Sequence, residues 1–490
     1  MIERNPALFS RDSYDLLIIG GGIYGACLSL EASRRGLSSL VLERDDFGGA
    51  TSWNSLRILH GGLRYLQHLD LKRFRESVAE RRWFSFWFPE LVRPLPCLMP
   101  LYGRGLKRKV LFGPALRLND FLSSRRNAGV SDAVRLPDGR ILSVRETAGM
   151  FPLVKKERLE GAALWHDTVM LSPQRVLMEI LRWACLLGGR ALNYVEAEKL
   201  LTQQGRVVGV GARDRLTKDP IEFRANTVIN CAGPWSRELA AGFDRDVPSI
   251  FFPSLAFNVF VEHEPPCPLA LAVQPARPGA PVYFMHPCQG GLFLGTVHAE
   301  WNKPVSAPDV EESALVHLID DINDAVPGLH LQRSEIGRVF AGLLPAAGAG
   351  SDKISRRPAM HVHASEGGPR GLISICGVKF TTARLVAEQA LGAANSCWRS
   401  IPYGPSTDRP PQSRGELDLT SPEGFLSASE AETRKETTRI VQSEAVTCMG
   451  DLIMRRTDWG LNPKHWQPLL QHVHRLHPEM AKAHADPRVA

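Results

Sequence analysis

Long apolar segments are missing from this sequence of 490 residues. No stretch of about 18 apolar residues occurs, which excludes a transmembrane helix. Residues 1–6 are polar and lead toward a short apolar run that ends in glycines, so we expect no secretory signal. No internal repeat is visible. At roughly 150 residues per domain, the length predicts two to three globular domains. Because neither a secretory signal nor a membrane span is expected, we expect a cytoplasmic protein.

Paired cysteine motifs are also absent. The nine cysteines are scattered, none forms a CxxC, and no Cys/His group has zinc spacing, so we expect no metal site. Their odd number argues against a disulfide framework and favours a reducing compartment. The net charge of +7 is mild for this length and excludes a nucleic-acid-binding composition. It still permits contact with anionic lipid or an anionic substrate.

The most informative segment covers the first of the predicted strands and the turn that follows it. Residues 15–19 form a continuous apolar run, typical of a strand buried on both faces of a parallel sheet. The glycine motif of residues 20–25 follows, residues 24–35 read as a helix, and residues 39–42 read as a second strand ending in Glu43. This is the βαβ dinucleotide-binding pattern in its proper context.

Each glycine of this motif has its own physical task. Gly20 allows the tight turn, Gly22 lets the backbone approach a pyrophosphate, and Gly25 allows close helix–strand packing. The helix N-terminus then directs free N–H groups toward the phosphates. Glu43 can accept hydrogen bonds from both ribose hydroxyls, which disfavours a 2′-phosphate and therefore NADP.

The next segment distinguishes FAD from NAD. A small polar stretch at residues 51–55 is followed by two glycines at 61 and 62, which let the backbone come close to a flat ligand. His60, Arg64 and Tyr65 supply polar groups beside them. We therefore expect a flavin rather than a nicotinamide.

At this point the sequence resembles a known family. Residues 60–66, HGGLRYL, resemble the signature of FAD-dependent glycerol-3-phosphate dehydrogenases, in the D-amino-acid-oxidase-like group of flavoproteins. Four further matches follow in the same order: 228–236 (VINCAGPWS), 355–356 (SR), 377–384 (GVKFTTAR) and 451–457 (DLIMRRT). The resemblance covers nearly the whole chain, and it implies bound FAD, a small anionic substrate and a quinone as electron acceptor.

The resemblance, together with the glycine motif, also implies where the cofactor and the substrate bind. The expected FAD-binding residues are Gly20, Gly22, Gly25, Glu43, Thr51, Ser52, Ser55, Gly62, Val195, Ala232, Gly233, Gly377, Lys379, Phe380 and Thr381. The expected residues of the chemistry are Arg64, Lys379, Arg356, His60 and Tyr65.

Their residue types fit the oxidation of an alcohol. An arginine fork suits a phosphate or carboxylate, so Arg64 is the first candidate for substrate binding, with Lys379 and Arg356 next. A lysine near a flavin would also stabilise negative charge on the reduced ring. His60 is a candidate base or a cap of the glycine loop, and Tyr65 either packs on the ring or donates a hydrogen bond. Asp167 reads as structural, because its neighbour His166 points to the opposite face of a strand.

Two positions depart from the family pattern. Leu344 stands where the family has an arginine implied in binding the substrate phosphate, and Phe257 stands where it has a histidine near the active site. In addition, Lys379 follows Gly377-Val378 rather than two glycines. Losing a charged hydrogen bond costs about 1.5–3 kcal/mol of binding energy. The sequence leaves open whether another arginine, such as Arg338, supplies the missing charge.

The expected fold class is α/β. A discontinuous Rossmann-like FAD-binding domain, an antiparallel-sheet substrate domain and a small helical C-terminal domain together account for the chain. We expect a unit over 12–395 in which the FAD-binding pieces are about 12–90, 165–245 and 355–395, and the substrate domain takes about 91–164 and 246–354. A Pro-rich linker at 396–425 leads to the helical domain at 426–490.

Local patterns refine this division. Residues 192–197 read as one strand, and Val195 matches a residue whose backbone meets the adenine in the family. Ser427 and Glu430 suggest a capping box. The apolar residues Ile440, Val441, Ala445, Cys448, Leu452 and Ile453 recur at helical spacing and predict an amphipathic helix.

Basic and apolar residues alternate at 101–128. This pattern reads either as a membrane-surface patch, which would suit an enzyme that passes electrons to a lipid quinone, or as a solvated basic face. The leading hypothesis for the chain is FAD-dependent oxidation of sn-glycerol 3-phosphate, or a closely related anionic alcohol, to the ketone. The alternatives are an amino-acid or amine oxidase on the same scaffold and a non-catalytic FAD-binding protein.

Overall fold

The computed structural model describes residues 1–66, 68–103, 109–277, 279–306, 308–394, 421–457, 459–478 and 480. The helices are α1 Pro6–Phe9, α2 Ile23–Ser33, α3 Leu63–Leu66, α4 Leu71–Trp87, α5 Lys109–Leu122, α6 Val144–Met150, α7 Pro173–Leu186, α8 Ser236–Phe243, α9 Glu312–Ala325, α10 Ala383–Ala394, α11 Pro422–Ser427, α12 Glu430–Ser443 and α13 Pro463–Leu476. The strands are β1 Ser13–Ile19, β2 Ser39–Leu42, β3 Ile58–Leu59, β4 Val92–Leu101, β5 Arg140–Leu142, β6 Gly161–Met170, β7 Arg190–Leu192, β8 Val195–Gln203, β9 Arg206–Asp214, β10 Pro220–Asn230, β11 Pro253–Val261, β12 Ala270–Val273, β13 Tyr283–Cys288, β14 Gly291–Glu300, β15 Ile336–Pro345, β16 Ala359–Val362 and β17 Leu372–Cys376. None of these helices is both long and apolar enough to cross a membrane.

The first sheet has a parallel centre. Its order is β16-β17-β10-β1-β2-β7, and the pairs from β17 to β7 are parallel. Leu16 and Ile18 of β1 pack in one core with α2, α7 and α10, whereas Leu17 and Ile19 pack in a second core with β8, β9 and β10. Burial on both faces explains the continuous apolar run that predicted this strand.

The second sheet is largely antiparallel. Its order is β15-β11-β14-β13-β12-β4-β6-β3, with β5 attached to β6, and the pair β12–β4 is parallel. Helix α9 contributes apolar residues to its core. The first sheet draws strands from residues 13–42, 190–230 and 359–376, and the second draws them from the segments between. The predicted fold class is confirmed, while the exact domain boundaries stay predictions.

Three local predictions are wrong. The strand expected at 192–197 is interrupted, because Tyr194 adopts a left-handed backbone conformation (φ 55°) between β7 and β8. The helix expected through Ile453 ends at Ser443, and Ala445 is also left-handed (φ 51°). Residues 451–456 then form a separate π-helical turn. The capping box is formed by Ser429 and Glu432, at the start of α12.

The linker prediction falls mainly on residues that the structure does not describe. Residues 396–420 lie outside the described part, and the last residues of the predicted linker belong to helix α11. Helices α11, α12 and α13 share an apolar core that includes Phe425, Trp459 and Leu469. The C-terminal residues therefore form a small helical unit, which contacts the first sheet through α7.

Candidate active site

A cavity of about 1380 Å³ lies where the carboxyl ends of β1, β2, β10 and β17 meet the second sheet. Crevices at this edge of a parallel sheet are the usual place for a dinucleotide. The five residues expected to take part in the chemistry all line it: His60, Arg64, Tyr65, Arg356 and Lys379. Of the expected FAD-binding residues, all except Gly25 line it as well.

Gly25 has a packing role instead. A Cβ at Gly25 would lie 1.9 Å from the carbonyl oxygen of Gly20, so only glycine lets α2 come this close to the preceding turn. Gly20 itself has φ +106°, and a Cβ there would lie 2.6 Å from the Cys231 carbonyl oxygen. Direct contact between Gly25 and a cofactor is therefore not supported by its position, whereas the packing role given to it is.

The start of α2 fits a pyrophosphate. A Cβ at Gly22 would come within 4 Å of one neighbour, the Ser52 hydroxyl at 3.2 Å, so the backbone lies open to the cavity. The Ser52 hydroxyl accepts a hydrogen bond from Ile23 N at 3.0 Å. The Ser55 hydroxyl is buried with no hydrogen-bond partner among the described residues. An open glycine, a helix N-terminus and a free buried hydroxyl are what a bound pyrophosphate would use.

Glu43 lies at the next part of the cavity wall. Its carboxylate oxygens accept hydrogen bonds from Gly21 N at 2.7 Å and Asp45 N at 2.9 Å. Burial raises the pKa of Glu43 above its ordinary value. Each oxygen keeps a second lone pair for a ribose hydroxyl. Nearby, the Arg44 guanidinium lies 3.9 Å from the Trp235 ring centroid. This stacked pair forms a flat part of the cavity wall that the sequence motifs did not predict.

The chain returns to the cavity at Gly377. A Cβ there would lie 1.6 Å from Tyr24 Cζ, so glycine is required where Tyr24 crosses this loop. The Tyr24 hydroxyl donates to the Lys379 carbonyl oxygen at 2.7 Å and accepts from Lys379 N at 3.0 Å. Tyr24 thereby fixes the backbone of Lys379, a role that the glycine motif around Tyr24 did not reveal.

Two cations approach the Tyr65 ring. Lys379 Nζ lies 4.2 Å and the Arg73 guanidinium 4.7 Å from its centroid, so Tyr65 acts here mainly as a packing surface. Burial, and then the charge of Arg64, lower the pKa of Lys379 to about 8. Arg73 also donates to the Arg356 carbonyl oxygen at 3.2 Å. Arg64, Lys379 and Arg356 make this end of the cavity positively charged.

His60 is paired with Asp167. Its Nδ1 lies 3.1 Å from Asp167 Oδ2, while Asp167 Oδ1 accepts from Gly61 N at 2.7 Å and Arg81 Nη1 at 2.8 Å. Burial alone would raise the pKa of Asp167, but the hydrogen bond and charge of His60 and the charge of Arg81 lower it well below its ordinary range. The expectation that Asp167 is purely structural is therefore incomplete, because this carboxylate orients the imidazole.

The two departures from the family pattern behave differently. Leu344 lines the cavity, as the resemblance implied. Phe257 does not: it is fully buried in the core of the second sheet, and its neighbours Ala256 and Asn258 line the cavity instead. The prediction that Phe257 stands at the site is wrong, because adjacent strand residues face opposite sides.

Arg338 does not supply the charge missing at position 344. Its Nη1 lies 3.9 Å from Met454 Sδ, and its guanidinium lies 5.8 Å from the Trp53 ring centroid, toward the C-terminal unit. It is not among the residues that line the cavity.

Comparisons with known proteins agree with this arrangement. Residues 15–389 match the family described as FAD dependent oxidoreductase (DAO). The aerobic glycerol-3-phosphate dehydrogenase of Bacillus subtilis (strain 168) is 31% identical over 392 residues, which cover 79% of this chain and 68% of the relative. A glycerol-3-phosphate dehydrogenase of Synechocystis is 28% identical over 423 residues, which cover 83% and 74%.

Solved structures share the fold. The glycerol-3-phosphate dehydrogenase of Bacillus halodurans, complexed with FAD, matches with a TM-score of 0.72 at 22% identity and covers 97% of this chain and 92% of that one. L-proline dehydrogenase from P. horikoshii matches with a TM-score of 0.56 at 14% identity and covers 80% and 96%.

Proposed function

Since this chain belongs to the FAD dependent oxidoreductase family, we propose that it oxidises sn-glycerol 3-phosphate, or a closely related anionic alcohol, to the ketone and passes the electrons to a quinone. The observation that carries this proposal is the positive end of the cavity, where Arg64, Lys379 and Arg356 lie with the His60–Asp167 pair. The names of the two glycerol-3-phosphate dehydrogenases compared above support the same substrate.

The residues divide the work between cofactor and substrate. The groups that would hold FAD are Gly20, Gly22, Ser52, Ser55 and Glu43. The open backbone at Gly22 and the Ser55 hydroxyl, which has no partner among the residues the structure describes, support this assignment. FAD, when bound, supplies the acceptor for the hydride that leaves the carbinol carbon. Cofactor contacts at Thr51, Gly62, Val195, Ala232, Gly233, Gly377, Phe380 and Thr381 are part of the proposal.

The chain's own side chains handle the proton and the charge. His60 accepts the hydroxyl proton at Nε2, while Asp167 holds Nδ1 and stabilises the imidazolium that forms. Arg64 and Lys379 bind the anionic group, Arg356 adds positive charge, and Tyr65 packs beside Lys379. The carbon thus loses a hydride, the oxygen loses a proton, and the ketone is left.

Anaerobic bleaching of the purified, FAD-loaded protein tests the substrate. We expect glycerol 3-phosphate to bleach the oxidised-flavin absorbance rapidly, and glycerol to do so only at much higher concentration. Bleaching by amino acids alone would move the chain to an amino-acid or amine oxidase. A yellow protein that no polyol phosphate, hydroxy acid, amine or amino acid bleaches would instead indicate a non-catalytic FAD-binding protein.

Substrate binding should depend on the charge of Lys379. With its pKa lowered to about 8, this lysine is cationic below pH 8 and neutral above it. We therefore expect the Kd of an anionic substrate to rise as pH increases through 8. Lys379→Met should lack this rise and bind the substrate about tenfold to a hundredfold more weakly, the value of one charged hydrogen bond. Stopped-flow flavin reduction from pH 7 to 9.5 measures this Kd.

Lys379→Arg provides the matched control. Because arginine stays charged over this pH range, its Kd should remain flat above pH 8. A wild-type Kd that is independent of pH between 7 and 9.5 would contradict the assignment of Lys379 to the anion site.

We propose that α5 contacts a membrane surface, where a lipid quinone is available. Val110, Phe121 and Leu118 of this helix are 82%, 76% and 47% exposed, and Arg117 and Arg125 are exposed beside them. Arg126 does not belong to this surface, since its side chain is buried and forms ion pairs with Asp120 and Asp138. Arg104, Lys107 and Arg108, which belong to the same pattern, lie outside the described residues, and Lys109 is the first residue of α5.

Phe121→Ser tests this contact. Burial of a phenylalanine side chain is worth about 1.5–3 kcal/mol, so the variant should partition onto anionic phosphatidylglycerol vesicles about tenfold to a hundredfold more weakly. Val208→Ser, at a position 39% exposed on β9, is the control and should partition like the wild type. Cosedimentation with vesicles measures both, and a wild-type protein that stays in the supernatant would contradict the proposal.

A further inference from the structure

His298 is a cavity residue that neither the sequence motifs nor the family pattern singled out. It lies on β14, directly across from Ala256 of β11, which in turn pairs with Gly342 of β15. All three line the cavity. Ala256, the neighbour of His298, carries only a methyl group, whereas Thr51 packs over Gly342, where a Cβ would lie 3.2 Å from Thr51 Cγ2.

The ring of His298 has no partner in the described part of the chain: no hydrogen bond or ion pair within it involves either nitrogen. Of the other three histidines that line this cavity, His60 pairs with Asp167, His317 pairs with Arg277 and Asp321, and His68 is exposed. The His298 side chain is partly exposed to the cavity, so its ring nitrogens are accessible to a ligand.

The charges around His298 favour an anionic ligand. Burial, and then the charge of Arg64, lower the pKa of His298, whereas the carboxylate of Asp352 raises it. Lys353 and Arg356, on the segment after β15, line the same cavity, and the facing residue of β11, Ala256, carries no charge. The charge of Arg64 acts on His298, and two more cations line the same cavity, so an anion is the ligand that this part of the cavity favours.

His298 also lies on the face of the sheet that Leu344 occupies. Ser254 of β11 pairs with Leu344, and Ala256 pairs with His298, so these two pairs share one face. The charge absent at position 344 can thus be supplied from β14, on the other side of β11. Between Leu344 and His298, β11 presents on this face the small side chains of Ser254 and Ala256.

We propose that His298 is a substrate-binding residue that, together with Arg64, holds the anionic group of the substrate in place of an arginine at position 344. This assignment rests on the proposed function, since it names the anion site of that reaction. An anion bound beside His298 favours the protonated imidazole. Substrate affinity should therefore fall as pH rises above the lowered pKa of His298, below the range in which Lys379 titrates.

His298→Gln is the test, because glutamine keeps a hydrogen-bonding amide but cannot become cationic. At pH 6.5 we expect the Kd of glycerol 3-phosphate, from anaerobic stopped-flow reduction, to rise about tenfold. The limiting rate of reduction and the flavin absorbance should change by less than about threefold. His263→Gln is the control: this histidine pairs with Glu335 at 2.9 Å outside the cavity and should leave Kd unchanged.

Sulfate provides a second readout that needs no turnover, and its charge is constant over this pH range. Titration of the FAD-loaded protein with sulfate, followed by the flavin difference spectrum, should give a Kd that rises from pH 6 to 7.5 in the wild type and stays flat in His298→Gln. An unchanged Kd for both ligands in the variant would overturn the assignment and leave the proposed function intact. If glycerol 3-phosphate fails to bleach the wild type but sulfate behaves as described, the proposed function fails and the anion site stands.

Discussion

Replacing His60 by glutamine is expected to slow substrate-dependent bleaching of the flavin about 10²- to 10⁴-fold, the usual contribution of a general base. Glutamine fills similar space and can still accept a hydrogen bond from solvent, but it cannot take the hydroxyl proton at neutral pH. The side chain of His60 is 47% exposed, so the fold should tolerate the change. Limiting rates of anaerobic reduction at saturating substrate measure the effect.

Asp167→Asn serves as the companion variant. Asparagine keeps the shape of the aspartate but no longer stabilises the imidazolium, so the limiting rate should fall substantially while the Kd of the substrate changes little. FAD content and the thermal melting temperature are recorded for both variants. If His60→Gln reduced its flavin at the wild-type rate, His60 would be only a cap of the glycine loop and another group would accept the proton.

Arg456→Met should cost about 3–5 kcal/mol of unfolding free energy, the price of leaving a buried charge without its partner. Arg456 is fully buried and donates to Asp46 from Nη1 at 2.5 Å and from Nη2 at 2.9 Å. Burial alone would lower the pKa of Arg456, but Asp46 raises it, so the guanidinium stays charged. Removing it strands the Asp46 carboxylate in the interior.

The location of this pair gives the variant a second effect. Asp46 follows Glu43 in the segment that lines the cavity, while Arg456 belongs to the C-terminal unit and also donates from Nε to the Glu444 carbonyl oxygen at 2.8 Å. The Glu444 carboxylate in turn accepts hydrogen bonds from both Nη atoms of Arg175 on α7. The C-terminal unit is thereby tied to the cavity wall, and Arg456→Met should release FAD more readily on dilution.

Two further variants make this result interpretable. Arg213→Met removes one partner of an exposed pair with Glu198 and should change unfolding free energy by less than about 1 kcal/mol. The double variant Asp46→Leu/Arg456→Met should recover part of the loss, because it leaves no unpaired charge. Urea unfolding of the FAD-loaded proteins measures all three. Equal stability of Arg456→Met and Arg213→Met would contradict a structural role for the buried pair.

The elements around the glycine motif were predictable because their contacts are local. Residues 13–43 contain two buried apolar strands, a helix with no breaker and glycines at the turn, and the observed β1, α2 and β2 match them closely. The C-terminal unit was less predictable. Its apolar spacing continues past Ser443, but the helix ends there and Ala445 adopts a left-handed backbone conformation. The N-terminus contacts the chain at this point, where Ile2 N donates a hydrogen bond to the Ser443 carbonyl oxygen.

Strand faces were the weakest part of the site prediction. Adjacent residues of a strand face opposite sides of the sheet, so an error of one residue exchanges a cavity position for a core position. The sequence pattern places Phe257 at the site, whereas Ala256 and Asn258 line the cavity and Phe257 is buried in the core. Asn258 donates to the Asn54 carbonyl oxygen at 2.7 Å, a contact that joins the second sheet to the loop after β2. No local pattern in β11 shows which face receives the ligand.

The sequence by itself determined the fold class, the cofactor and the positions of Arg64 and Lys379, because short motifs dictate local backbone shape and carry the family resemblance. Only the tertiary structure decided which distant side chains meet. His60 and Asp167 are 107 positions apart, Asp46 and Arg456 are 410 apart, and His298 reaches the cavity through the register of β14 on β11. Strand order and register fix such meetings through the packing of whole sheets, and no segment of the chain contains that information alone.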